Sequence, residues 1–63
     1  MDKKFLEEAK SILGTYEMSA SLRRTIYDNL PHLSAIYLRE TGSITIDRFI
    51  NFLSQSYGIR KNS

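Results

Sequence analysis

Cysteine is absent from this sequence and histidine occurs once, at His32. A disulfide is therefore impossible, and so is a zinc site built from Cys and His. Tryptophan is missing, proline occurs once and glycine three times. The three glycines, Gly14, Gly42 and Gly58, stand far apart, so no glycine-rich phosphate loop is present. No apolar run is long enough for a membrane span. The opening stretch MDKKFLEEAKSILG is charged from its second residue, which argues against a signal peptide. With no cysteine and no membrane segment, the expected compartment is the cytoplasm.

What is present describes an ordinary small globular chain. Its 63 residues are 41% hydrophobic and 25% charged, which fits one folded domain over 1–63 and disfavours disorder. A chain of this size buries only roughly 60% of the surface it exposes when unfolded. Without a disulfide or a metal, a close-packed helical core or a partner chain must supply the rest. The formal net charge of +2 permits nucleic-acid binding without arguing for it, because such binding rests on neutralising phosphates.

Hydrophobic periodicity predicts an all-α fold, a compact bundle of three to four short helices over about 2–16, 20–30, 31–41 and 45–57. Phe5, Leu6, Ala9, Ile12, Leu13 and Tyr16 recur at steps of three and four, with Asp2 as N-cap. Ser19 or Ser21 caps the next helix, which carries Leu22, Ile26, Tyr27 and Leu30. Leu30 precedes Pro31 and so reads as a boundary, with Pro31 opening a third helix that buries Leu33, Ile36 and Tyr37 or Leu38. One kinked helix from Leu22 to Thr41 is the alternative, at a proline cost of about 3 kcal/mol. Gly42 reads as a left-handed stop, and Thr45 as the cap of a final helix with a Phe49, Phe52, Leu53 and Tyr57 stripe ending at Gly58. The basic tail, residues 59–63, is expected to fray except where Ile59 packs back.

The segment ETGSITIDRFINFL holds the densest pattern. Gly42, Ile44 and Phe49 stand at the glycine, apolar and aromatic positions of an EF-hand loop. In that register the ligand places fall on Tyr37, Arg39 and Thr41, with Arg48 where a bidentate Glu is needed. Calcium requires carboxylate oxygens, so no metal is expected. The same stretch has the outline of a helix-turn-helix over 31–57, with Ile44 filling the turn and Leu38, Phe49 and Phe52 joining the helices. Arg39 stands where that motif usually wants a small residue. A second such outline, Leu22 to Leu38 about Asp28 and Asn29, is poorer because Asp28 would face the phosphates.

Two function classes follow. Catalysis is not expected: His32 has no nucleophile partner, and Glu7 and Glu8 point about 100° apart on a helix. No cofactor is implied. The leading expectation is a small regulatory or adaptor protein that modulates a protein partner or a second copy of itself, in the manner of a bacterial or phage inhibitor. Its candidate contacts are Tyr16, Tyr27, Tyr37 and Tyr57, because a phenol ring suits the rim between core and water. The alternative is a DNA-binding regulator reading duplex DNA with its last helix. Arg48, Asn51 and Gln55 would then face base edges, and Arg23, Arg24, Arg60 and Lys61 would hold phosphates.

Overall fold

A computed structural model describes residues 2–62. Three helices and a two-stranded ribbon follow in the order α1 (Lys3–Leu13), β1 (Tyr16–Glu17), α2 (Ala20–Thr41), α3 (Ile46–Tyr57) and β2 (Arg60–Lys61). Each helix begins where a short polar side chain can satisfy an unpaired backbone N–H. Asp2 accepts from the Lys4 amide at 3.2 Å, Ser19 from Leu22 at 3.1 Å and Thr45 from Arg48 at 3.4 Å. Gly42 and Gly58 close α2 and α3 in the left-handed region, at φ 79° and 65°. Each donates its amide back into its helix, to Leu38 and Ser54 respectively.

The principal departure from the sequence reading lies at Pro31. Residues 20–30 and 31–41 are one helix of 22 residues, not two. Ile26, Leu30 and Ser34 form one buried stripe at steps of four that runs straight through the proline. Breaking the helix there would divide that stripe, and its burial offsets the cost of about 3 kcal/mol. Pro31 itself is exposed, on the side where water can solvate the carbonyl it leaves unbonded. The continuous helix also removes the proposed turn at Asp28 and Asn29.

Helix α1 stops at Leu13, short of the expected Tyr16. Tyr16 instead enters β1, which pairs antiparallel with β2 in the register Tyr16↔Lys61 and Glu17↔Arg60. Asn62 donates its amide to the Thr15 carbonyl, so the tail expected to fray is paired through Asn62. Ile59 packs into the core at 7% exposure. Ser63, the last residue of that expected tail, lies outside the described residues.

The helices run up, down and up. Phe5 near the start of α1 meets Phe49 near the start of α3, their ring centroids 5.7 Å apart, and the strands that follow these helices pair at the other end. Helix α2 is antiparallel to both: Arg23 near its start bonds the end of α1, while Tyr37 near its end meets Phe49 and Phe52. Ala9, Leu13, Ile26, Leu30, Phe49, Ile50, Leu53 and Ile59 make the core between them. Phe5 and Phe52, expected in that core, are half-buried at its edge.

Candidate interaction surface

The two adjacent arginines at the start of α2 have different environments. Arg23 points inward, donating from one nitrogen to the Leu13 carbonyl at 2.8 Å and from the other to the Tyr16 carbonyl at 2.7 Å. These carbonyls belong to the C-terminal end of α1 and the strand beyond it, where unpaired oxygens and the helix dipole favour a cation. Its guanidinium also lies 5.9 Å from the Tyr27 ring centre, and Tyr27 donates its hydroxyl to the Lys10 carbonyl at 2.9 Å. Arg23 and Tyr27 thus clasp α1 to α2, an internal role that the expectation of phosphate contact for Arg23 did not include. Arg24, one residue on, is exposed.

All four tyrosines are half-buried and packed against the core. Tyr37 holds α2 to α3, its ring 5.9 Å from Phe49 and 5.0 Å from Phe52. Tyr16 sits in the ribbon and Tyr57 in the last turn of α3. The monomer's own packing therefore accounts for much of each ring. Leu38 was expected to join α2 to α3, but Tyr37 makes that contact instead. Leu38 is 39% exposed, the one exposed large hydrophobic among the described residues. Ile36 is half-buried and stands outside the side chains packed on the core.

The outer flank of α2 gathers further features. At about 100° per residue, Arg24, Pro31 and Leu38 fall within about 20° of one line along the helix. At the start of that line Met18, Ala20, Arg23, Arg24, Tyr27 and Asp28 line an open depression. Arg24 and Asp28 are four residues apart, yet the one ion pair among the described residues is Lys10–Glu7, an exposed contact of 3.7 Å. Such a surface pair contributes at most about 1 kcal/mol.

A second surface lies on α3. Arg48, Asn51 and Gln55 are all exposed and share a sector of about 60° opposite the Phe49, Ile50 and Leu53 stripe. Gly42, the half-buried Ile44 and the Thr45 cap form the turn that leads into it. Asp47 lies on the adjoining sector, in the first turn. Arg60 and Lys61 are exposed at the opposite end of the molecule, on the ribbon. The expected DNA-facing residues thus form two groups: Arg48, Asn51 and Gln55 share one sector along α3, while Arg23, Arg24, Arg60 and Lys61 lie toward the ribbon end.

Among the described residues, no group of three or more His, Asp or Glu side chains converges as a metal site would require. No described helix is long and apolar enough to cross a membrane. The fold and surface define a small three-helix module with a clasped ribbon. Compared with family models, curated proteins and solved structures, the chain matches none.

Proposed function

We propose that this protein is a small regulatory module that acts by binding a protein partner through the outer flank of α2. The observation that carries this reading is the exposure of Leu38 on that flank; Ile36 lies about 200° round the helix, on the opposite flank. Every other large apolar side chain among the described residues packs into or against the core, while these two do not. With Leu33, Ala35 and Tyr37 they make the second half of α2 apolar around most of its circumference. A surface helix needs one apolar stripe, and a helix apolar on several sides is suited to being covered on several sides. Rigid helices with exposed apolar anchors are a common means of recognising another protein.

The test compares baits in an extract of the source cells. The wild-type chain should retain a specific protein that Leu38→Lys loses and that the triple variant Arg48→Ala, Asn51→Ala, Gln55→Ala keeps. Loss on the α3 variant instead, or no protein distinguishing wild type from Leu38→Lys, would overturn the reading.

The exposed Arg48, Asn51 and Gln55 sector supports a second reading, a helix-turn-helix regulator with α3 as its DNA reader. Its Arg, Asn and Gln side chains are the types that pair with guanine and adenine edges. That reading expects binding to generic duplex DNA whose log affinity falls steeply with log salt. No binding at low salt would remove it.

A further inference from the structure

The clasp between α1 and α2 does not exhaust the donors of Arg23. Its Nη1 donates to the Leu13 carbonyl and the Tyr27 hydroxyl, and its Nη2 to the Tyr16 carbonyl. Nε–H and the second Nη2 hydrogen are left without an acceptor among the described residues. No buried side-chain nitrogen there lacks a partner, so Nε is open to water. The open surface that Arg23 lines is the depression at the start of α2, with Met18, Ala20, Arg24, Tyr27 and Asp28. We propose that this depression binds a carboxylate carried on an apolar body, with Arg23 as the fixed donor and Arg24 as the second cation. The proposal needs neither Leu38 nor a partner helix, and so goes beyond the α2 reading above.

Three features select this chemistry. The three bonds that hold Arg23 fix its remaining donors before a ligand arrives, so little ordering is left to oppose binding. N–H groups on adjacent guanidinium nitrogens are what a carboxylate meets with its two oxygens. Charge decides between anions. Arg23 and Arg24 stand against Asp28 alone, and the one ion pair among the described residues is Lys10–Glu7, so Asp28 does not hold Arg24. That excess of a single positive charge suits a carboxylate better than a phosphate, whose charge is nearly doubled. Finally, the lining offers an apolar wall. Tyr27 spends its hydroxyl on the Lys10 carbonyl and presents its ring, beside half-buried Met18 and the Ala20 methyl. A carboxylate on an apolar body occurs both at the end of a peptide chain and on a small acid.

Proton–nitrogen correlation spectra that include the arginine side chains test the proposal at constant ionic strength. The probe is N-acetyl-leucine, and N-acetyl-leucinamide is its uncharged control. N-acetyl-leucine should shift the Arg23 Nε–H and the Ala20, Arg24 and Tyr27 amides saturably, with a Kd on the order of 1 mM for so small a ligand. The amide should bind about tenfold more weakly or not at all. Arg24→Gln should weaken binding by about threefold or more, and Asp28→Asn, which removes the opposing charge, should tighten it. Both residues are exposed, so these variants keep the fold and leave the Arg23 clasp intact. A peptide of two alanines and a C-terminal leucine, acetylated at its start, separates the sources. Tighter binding than N-acetyl-leucine assigns the site to a chain end, and equal binding to a small acid. Equal shifts with the amide control, an unmoved Arg23 Nε–H, weaker binding to Asp28→Asn, or tighter binding of inorganic phosphate than of N-acetyl-leucine would overturn the proposal.

Discussion

Two neighbouring residues of the same type, Arg23 and Arg24, separate structure from surface. Arg23 supplies three hydrogen bonds, two to main-chain oxygens of α1 and β1 and one to Tyr27 at 3.3 Å. Hydrogen bonds to charged groups are worth about 1.5–3 kcal/mol, and removing the donor leaves part-buried carbonyls unpaired. Arg23→Met, which keeps the stem, should therefore lower unfolding free energy by about 2 kcal/mol. Tyr27→Phe, which loses both the bond to the Lys10 carbonyl and the one its hydroxyl accepts from Arg23, should cost about 1–2 kcal/mol. Arg24→Met should change stability by about 0.5 kcal/mol or less, since its side chain is exposed. Chemical denaturation measures all three, and equal effects at the two arginines would contradict the clasp. Adjacent basic residues at a helix start gave no sequence signal for this difference. It depends on where α1 ends, and α1 ends at Leu13 rather than at Tyr16.

At the scale of the element, α2 shows what local rules can and cannot decide. Its caps were legible, because Ser19 and Gly42 act within a few residues of themselves. Its continuity was not, because the preference of Leu30 to leave the helical region is a local rule overridden by burial on both sides of Pro31. The ribbon was hidden for the same reason: a two-residue strand has no periodicity, and β1 exists because β2 is brought beside it from the far end of the chain. Pro31→Ala would restore a helical hydrogen bond at an exposed site, while giving the unfolded chain more freedom. The net effect should be a stabilisation of about 1–2 kcal/mol, read from the denaturant midpoint. A loss of stability would show that the helix bends at Pro31 for a structural reason. Gly42→Ala and Gly58→Ala meet no neighbouring atom within 4 Å, so their cost is backbone strain alone. Each should lose about 1–2 kcal/mol, because both positions have positive φ.

For the whole molecule, the length of the chain limits its core. Among the described residues, eight buried hydrophobic side chains hold three helices together, and one of them, Ile59, comes from the segment that joins α3 to the ribbon. Ile59→Ala should cost about 2–4 kcal/mol, a large share of the stability of so small a domain. Thermal unfolding that leaves Ile59→Ala within error of wild type would show that the ribbon end contributes little. The sequence reading placed a small helical bundle and its caps correctly in outline, and divided α2 in two. It assigned candidate contacts to the tyrosines because phenols favour rims, and the same preference lets Tyr27 and Tyr37 help to close the monomer. Leu38 was read as a packing residue because its spacing from the core stripe is helical. Only the position of the neighbouring helices shows that Tyr37 takes the contact and leaves Leu38 in water.

The central claim is that the outer flank of α2, rather than α3, is the contact surface. Backbone amide chemical shifts recorded with and without the protein that the wild-type chain retains test this residue by residue. The account predicts shifts around Ala20, Arg24 and Leu38, with Arg48, Asn51 and Gln55 unchanged. Shifts confined to α3 would contradict it.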